Sequence, residues 1–276
     1  MSGVGDGNGA GAASLTVMRY ALISDIHANL PALKSVLRDI TERDVSATYH
    51  LGDLVGYGPW PNELVSALIE ARIPGVAGNY DSTLASDYKH CGCQYEDARQ
   101  EELSHLSYAW TRAHVSSRTK AFLAGLPFRI DIRPLGGHVA GPTLILVHGG
   151  HVLNTVYVHE NRPEAFLAKM GAALGARGGD VVCCGHTHVP WHRVVGGIHY
   201  VNTGSVGRPK DGDWRASYAL VDVANDVSVE IVRVEYDIET AAAAILASGL
   251  PGDFAHQLRR GGVQPAEGVA REAQSS

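Results

Sequence analysis

The chain has 276 residues, of which 45% are apolar and 19% charged, and its formal net charge is −6 at pH 7. This composition is that of an ordinary globular protein with enough residues for a large core. The acidic charge is mild and unclustered, so the sequence offers no basic surface for long nucleic acid or for a membrane. A small anionic ligand would therefore need a local source of positive charge, such as a metal ion.

Both ends of the chain are rich in small and polar residues without periodicity. Residues 1–17 lack the basic start and apolar segment of a signal peptide, and residues 261–276 have no amphipathic pattern. No apolar run approaches the roughly 18 residues that span a bilayer. We predict disordered tails at 1–17 and 261–276 around one domain of residues 18–260.

The four cysteines are typical of a reducing cytoplasm, where we expect the protein to reside. Adjacent Cys183 and Cys184 would point to opposite faces of a strand, so they are poorly placed to bond to each other. Cys91 and Cys93, beside His90, could begin a zinc site, but no second cysteine pair at a suitable spacing completes it.

The first third of the chain alternates strand and helix patterns. Apolar runs predict strands at residues 19–25, 47–53 and 73–78, and helical spacing of apolar residues predicts a helix after each of the first two. This alternation indicates parallel strands joined by crossover helices.

The remainder of the chain is mostly strands. A helical stripe covers residues 95–117, a shorter helix precedes Pro127, and further helices are predicted at 163–174 and Ile238–Ala247. Several of the late strands are spaced as hairpins. We predict an α/β fold of two mixed sheets packed face to face with outer helices, and a helical cap at residues 82–117 that contributes to substrate choice.

Polar residues stand where successive strands are predicted to end. The pairs Asp25 with His27 and His186 with His188 are each two residues apart, so an extended backbone points both members to one side. The other strand ends carry Asp53, Asn79 and His148. Alone, Asn79 in VAGNYD would be taken for a turn residue, and single Asp or His residues for caps or surface groups.

Together these seven side chains are more ligands than one metal ion can use. Strand C-termini in α/β sheets are where sites assemble. Shared between two ions with one bridging carboxylate, the set suits in-line displacement at phosphorus.

The motifs SDIH, GDLVGYGP, GNYD, HGG, GHTHVP and NTGSVG occur in this order over residues 19 to about 235. They resemble the calcineurin-like metallophosphoesterases, and in particular the small bacterial YfcE-like phosphodiesterase branch. The resemblance implies a four-layer α/β/β/α sandwich and a hydroxide, bridging two metal ions, that attacks phosphorus in line.

The resemblance also implies which residues bind each of the two metal ions. Asp25, His27 and His188 match the ligands of the first ion. Asn79, His148 and His186 match those of the second, and Asp53 matches the bridging carboxylate. The N and O donors, without thiolate, suit Mn, Fe, Zn or Ni.

One position departs from the family pattern. Many relatives carry here a His that stabilises the transition state or protonates the leaving oxygen, where this chain has Tyr80; the acid that orients that His is retained as Asp81. With Asp53, these two residues are the candidate catalytic residues. A neutral phenol carries no positive charge at pH 7 and is a poorer acid for a basic leaving group. This favours substrates with good leaving groups or two ester arms, unless Tyr80 is only a packed aromatic.

Two further residues are candidate phosphate contacts. Asn29 could bind a phosphate oxygen or cap a helix, and Arg208 could pair with phosphate or lie solvated in its loop.

We predict a metal-dependent phosphodiesterase acting on a small phosphate ester. A dinucleoside polyphosphate hydrolase and a phosphomonoesterase are alternatives within the same class. A non-enzymatic scaffold, as in the retromer subunit of this fold, is the alternative outside it. The sequence gives no oligomeric state.

Overall fold

A computed structural model describes residues 17–95, 97–133, 141–224 and 226–262. Within these ranges it contains nine strands and eight helices. The strands are β1 (Met18–Ile23), β2 (Ala47–His50), β3 (Arg129–Ile132), β4 (Leu144–Val147), β5 (Val181–Cys184), β6 (Trp191–Val195), β7 (Ile198–Asn202), β8 (Ala216–Val223) and β9 (Val227–Val234). The helices are α1 (Leu30–Thr41), α2 (Pro61–Glu70), α3 (Asn79–Ala85), α4 (Ala98–His114), α5 (Ser117–Ala124), α6 (Glu164–Leu174), α7 (Ile238–Ala247) and α8 (Asp253–Arg259).

The strands form two mixed sheets. Sheet A has the order β2-β1-β8-β9, with β1 parallel to β2 and antiparallel to β8. Sheet B has the order β3-β4-β5-β7-β6, in which β4, β5 and β7 are parallel. The late strands β8 and β9 thus return to the sheet that the first two strands begin.

The described residues form three buried hydrophobic clusters, and one of them lies between the sheets, as alternation along each strand requires. Leu22 of β1 and Leu146 of β4 belong to this inner cluster. The neighbouring Ile23 faces the outer helices of sheet A, and Val147 faces α6 on the outside of sheet B. Four layers result, so the predicted sandwich is confirmed.

The two adjacent cysteines follow the same alternation. Cys183 packs between the sheets and Cys184 packs on the outer side of sheet B, and both are buried free thiols. The expectation that they point to opposite faces holds.

Three local predictions differ from the structure. The run at residues 73–78 forms only a single parallel bridge, Gly75 to His50, instead of a strand. Asn79 does not end a strand but begins α3. Helix α8 was not predicted, because its seven residues are too few to establish a periodic pattern.

The predicted tails lie outside the described residues except for Val17, Gly261 and Gly262. Gly261 accepts a hydrogen bond from the amide of Gly212 at 3.0 Å, and the amide of Gly262 donates to Gln257 at 2.8 Å. These two residues of the predicted C-terminal tail therefore make backbone hydrogen bonds to the rest of the chain.

None of the helices in the described part of the chain combines the length and apolar character needed to cross a bilayer.

Candidate metal centre

The seven predicted ligands meet where β1, β2, β4 and β5 end. Asp25 and His27 follow β1, Asp53 follows β2, His148 follows β4, and His186 follows β5. His188 lies two residues beyond His186, and Asn79 opens α3. All seven side chains are buried, with exposed fractions of 4% or less.

The first cluster comprises Asp25, His27 and His188, whose donor atoms lie within 4.8 Å of one another. The Nε2 atoms of the two imidazoles are 3.2 Å apart. The Oδ1 atom of Asp25 is 3.3 Å from Nε2 of His188 and has no hydrogen-bond partner, although it is fully buried.

The second cluster comprises Asp53, His148 and His186, together with Asn79. Nε2 of His148 lies 3.2 Å from Oδ1 of Asn79 and 3.2 Å from Nδ1 of His186. Oδ2 of Asp53 lies 3.6 Å from Nε2 of His148 and 3.8 Å from Nε2 of His27. A single carboxylate oxygen therefore stands between the two clusters.

In three of the imidazoles, the ring nitrogen that faces away from the clusters is hydrogen-bonded to a backbone carbonyl. Nδ1 of His27 lies 3.0 Å from the carbonyl of Val55, and Nδ1 of His148 lies 2.7 Å from that of Leu51. Nδ1 of His188 is likewise 2.5 Å from the carbonyl oxygen of Arg208. Because a carbonyl can only accept, each Nδ1 carries a proton, and Nε2 is the nitrogen that faces the cluster.

The carboxylates of Asp25 and Asp53 likewise use one oxygen to accept hydrogen bonds from the protein. Oδ2 of Asp25 accepts hydrogen bonds from the hydroxyl of Ser24 at 2.7 Å and the amide of His186 at 2.9 Å. Oδ1 of Asp53 accepts from the amide of Tyr80 at 2.9 Å. In each carboxylate the other oxygen points into the clusters, and an orphaned buried oxygen such as Oδ1 of Asp25 fits a cation.

The electrostatics of three of the four imidazoles fit the same ligand role. Burial, together with a neighbouring imidazole, lowers the pKa of His27 to about 3 and the pKa of His186 well below the usual range. Burial, together with the positive charges of Lys210 and Arg208, also lowers the pKa of His188 well below the usual range. These rings are therefore neutral ligands at pH 7. Burial also opposes the charged form of His148, but the carboxylate of Asp53 outweighs it and raises the pKa of His148 to about 9.

Five of the seven ligands have left-handed backbone. Their φ angles lie between 47° and 66°. These residues are Asp25, His27, Asp53, His186 and His188. Non-glycine residues rarely adopt this region, and such outliers concentrate at functional sites.

Two glycines allow the strand ends to approach. A Cβ on Gly185 would lie 2.1 Å from the hydroxyl of Ser24, and one on Gly78 would lie 2.1 Å from Oδ1 of Asp53. The glycines that precede His186 and Asn79 are therefore required by the close approach of neighbouring side chains.

Asp81 lies behind the clusters. Its two carboxylate oxygens accept hydrogen bonds from the amides of Leu54 at 3.0 Å and Gly78 at 2.9 Å. Burial and the charge of Asp53 raise the pKa of Asp81 to about 7. Asp81 thus joins the loop after β2 to the start of α3, which makes it a positioning residue.

Tyr80 is also buried beside the clusters. Its ring contacts that of His27 edge-on at a centroid distance of 5.7 Å, and its hydroxyl lies 3.3 Å from the hydroxyl of Ser107 in α4. This arrangement favours the packed-aromatic interpretation, while a part in catalysis stays a prediction.

Asn29 caps α1. Its Oδ1 accepts from the amide of Ala32 at 3.2 Å, and its Nδ2 donates to the carbonyl of Gly207 at 3.0 Å and lies 3.3 Å from the hydroxyl of Tyr236. Both polar atoms are thus used within the protein. The structure supports the capping alternative, and we do not retain Asn29 as a phosphate contact.

A cleft of about 480 Å³ opens beside the clusters. Arg208 lines it, with its guanidinium stacked 3.9 Å from the ring centroid of Tyr57 and hydrogen-bonded to Gln257 at 2.8 Å. Tyr157 packs 4.0 Å from the ring of His186 and lines the same cleft. Sequence patterns did not identify Tyr157, because the long loop between β4 and α6 carries no motif beyond the HGG at its start.

The segment predicted as a cap supplies one wall of the cleft. The contributing residues are Cys93, Gln94, Tyr95, Gln100, Leu103 and Ser104. Cys91 and Cys93 form a disulfide with each other, so they do not begin the zinc site considered from the sequence.

Known proteins share this sequence and architecture. The calcineurin-like phosphoesterase superfamily domain matches residues 18–226. The uncharacterized protein MJ0912 of Methanocaldococcus jannaschii is 32% identical over 248 residues, which cover 84% of this chain and 93% of that protein. The phosphodiesterase YfcE of Escherichia coli K12 is 28% identical over 76% of this chain and 90% of its own length.

A solved structure agrees with these matches. The metallophosphoesterase from Sphaerobacter thermophilus is 28% identical and superimposes with a TM-score of 0.67, covering 88% of this chain and 99% of that one. The family that the motifs indicated is confirmed: this chain belongs to the calcineurin-like phosphoesterase superfamily.

Proposed function

We propose that this chain is a dinuclear metal-dependent phosphodiesterase that acts on small phosphate esters. The position of Asp53 carries the proposal, because its Oδ2 lies within 4 Å of an imidazole nitrogen in each cluster. One carboxylate oxygen so placed can serve two ions at once.

The ligand set divides into two groups that share Asp53. Asp25, His27 and His188 would hold the first ion, and Asn79, His148 and His186 the second. Bound there, the ions would polarise a phosphoryl oxygen and lower the pKa of water at the site. Oxygen and imidazole donors suit Mn, Fe, Zn or Ni, and manganese is our first choice for assays.

The chain's own residues would position the ester. Arg208 is held over Tyr57 and by Gln257, so its guanidinium is pre-organised to pair with a phosphate oxygen at low entropic cost. The aromatic side chains of Tyr57, Tyr95 and Tyr157 line the cleft in which an ester arm would lie. A similar relative is named a phosphodiesterase, which supports a diester substrate.

A preference for diesters is supported by position 80. Tyr80 has no imidazole to protonate a basic leaving group, and its hydroxyl is 3.3 Å from that of Ser107. A substrate with an aryl leaving group does not require such an acid, because the aryl oxide departs without protonation. The complete set of buried donor atoms argues against the scaffold alternative, because burying unpaired polar groups is costly without a ligand.

The test is a metal-supplemented assay with bis(4-nitrophenyl) phosphate and the matching 4-nitrophenyl phosphate. We expect turnover with Mn²⁺ and a higher kcat/KM for the diester. Asp53→Asn should reduce kcat by at least about 10³-fold, because it removes charge shared by both ions. The exposed Asp226→Asn is the matched control and should behave as wild type.

Two outcomes would contradict the proposal. Faster cleavage of the monoester would remove the diesterase assignment and leave a phosphomonoesterase. No hydrolysis of either ester with any of the four metals would favour the scaffold.

A further inference from the structure

We propose that Cys91 and Cys93 are a reversible thiol–disulfide pair that controls how tightly the second metal position binds its ion, through Asn79. This inference rests on the proposed function, because it requires that Asn79 is a ligand. The pair is a modification site next to the metal centre rather than an additional ligand set.

The geometry joins the pair to Asn79 directly. The disulfide closes a three-residue turn in which Gly92 has a φ of +74°. Nδ2 of Asn79 donates to the carbonyl of Cys91 at 2.9 Å and lies 3.4 Å from Sγ of Cys93. Its Oδ1 lies 3.2 Å from Nε2 of His148. The cysteine turn therefore decides which atom of the amide faces the second cluster.

The two cysteines differ in access. Cys93 is half-buried and lines the cleft, so a small oxidant that enters the cleft reaches it. Cys91 is 1% exposed, and its Sγ lies 3.4 Å from the hydroxyl of Ser104. An accessible cysteine beside a buried partner is the arrangement of an attacking and a resolving thiol.

Oxidation by a hydroperoxide balances with these two residues alone. The Cys93 thiolate attacks the outer peroxide oxygen, the O–O bond breaks, and the sulfenic acid and an alcohol or water form after protonation. The Cys91 sulfur then displaces the hydroxyl of the sulfenic acid, which leaves as water, and two electrons in all have passed to the peroxide. A dithiol returns the pair to two thiols by exchange and becomes a disulfide itself.

The coupling follows from the covalent constraint. In the oxidised pair the bond fixes the turn, and with it the carbonyl of Cys91 that orients Asn79. Reduction leaves that carbonyl on a glycine-containing turn with more freedom, so Oδ1 of Asn79 is presented to the second cluster for less of the time. Hydrogen-bond partners of metal ligands commonly change metal affinity by about 10–100-fold when they are lost.

The other two cysteines do not share this arrangement. Cys183 and Cys184 are buried on opposite faces of β5 and are free thiols. Treatment with a mild oxidant should leave both unchanged, which provides an internal control.

The experiment compares the full chain in its two thiol states. One sample is oxidised with hydrogen peroxide and one is reduced with a phosphine, and both are freed of reagent without oxygen before Mn²⁺ is titrated by calorimetry. Mass spectrometry after alkylation counts the thiols. We expect two binding events, of which the weaker loses about tenfold in affinity on reduction while the other is unchanged.

Variants test the assignment. The double variant Cys91→Ser/Cys93→Ser should bind the second ion with the affinity of the reduced protein, whatever the treatment. The control Cys183→Ala should keep the response to oxidation. Equal or tighter binding on reduction of the wild-type chain would overturn the inference, and so would a double variant that still responds. These results would leave the proposed function in place, whereas the absence of Mn²⁺ binding in both states would remove both.

Discussion

Six of the seven side chains of the candidate metal centre use one polar atom within the protein and present another to the clusters; His186 is the exception, because its Nε2 has no partner among the described residues. One polar atom contacts the protein and the other faces the clusters, as in Asp53, where Oδ1 accepts from the amide of Tyr80 and Oδ2 faces His27 and His148. The outward atoms fix orientation and tautomer, so the inward lone pairs are pre-organised for a cation. The motifs identify which residues take part, but not which carbonyl holds each one, because those carbonyls belong to residues of any type.

Tyr80 provides a prediction at this scale. If its hydroxyl assists the departing oxygen, Tyr80→Phe should lower kcat/KM little for nitrophenyl esters and about 10²-fold for alkyl or nucleoside esters, which need protonation. Tyr80→His should shift activity toward monoesters, since an imidazole can act as the acid. The measurement is kcat/KM for matched monoesters and diesters in all three proteins.

Equal ratios of diester to monoester activity in the three proteins would show that Tyr80 only packs. The 3.3 Å separation between its hydroxyl and that of Ser107 makes Ser107→Ala a useful control. That variant removes one contact of the Tyr80 hydroxyl and leaves the hydroxyl itself in place.

Among the elements, β2 carries a buried imidazole at its end. His50 is fully buried, and neither ring nitrogen has a hydrogen-bond partner among the described residues. A Cβ on Gly75 would lie 2.3 Å from Nδ1 of His50, so the bridge between these residues packs the ring tightly. Burial alone lowers the pKa of His50 to about 3.

This shift predicts a loss of stability in acid. His50 is neutral in both folded and unfolded chains above about pH 6.5, but below that pH only the unfolded chain takes up the proton until about pH 3. His50 should therefore lower the free energy of unfolding by about 1.4 kcal/mol for each pH unit below 6.5. Urea unfolding of the metal-free protein at pH 7 and pH 5 measures the loss.

His50→Phe is the matched variant, because its ring fills similar space without titrating. Its stability should fall less between pH 7 and pH 5 than that of the wild type, by about 2 kcal/mol. Identical losses in the two proteins would mean that His50 is not the buried neutral group described here.

The elements also show how far the sequence determines the fold. A long segment with helical spacing such as α1 was predicted, because burial of one face leaves a pattern over many residues. The run at residues 73–78 has the composition of a strand, yet it makes only the bridge of Gly75, since its neighbours turn away to begin α3 at Asn79. The disulfide and the cleft-lining Tyr157 have no periodic signal and required the structure.

For the whole molecule, the metal centre lies across the junction of the two sheets. Asp25 and His27 extend from sheet A, and His188 extends from sheet B; the second cluster likewise combines Asp53 with His148 and His186. Each ion would therefore connect both sheets at the end of their shared core.

Metal removal tests this connection. An ion present at about 100 times its Kd stabilises the folded state by about 2.7 kcal/mol, which corresponds to about 5–10 °C in Tm for a chain of this size. We expect the Tm to fall by this amount or more when a chelator replaces Mn²⁺, as measured by calorimetry.

The control for this prediction is His148→Ala compared with wild type. The variant lacks a ligand of the second cluster, so its Tm should respond to Mn²⁺ by roughly half as much. The same Tm with chelator and with Mn²⁺ in the wild type would mean that the folded clusters bind no ion.

The left-handed backbone at five ligands restricts which donor atoms the centre can use. Asp, Asn and His are the residues other than glycine that adopt this conformation most readily. These residues offer oxygen and imidazole nitrogen, whereas Cys has no such enrichment. Exchange of a ligand for Cys at Asp25 or His186 would thus be opposed by the turn as well as by the ion. The shape of the loops would therefore favour harder and borderline cations over soft ones such as Cu(I) at this candidate centre.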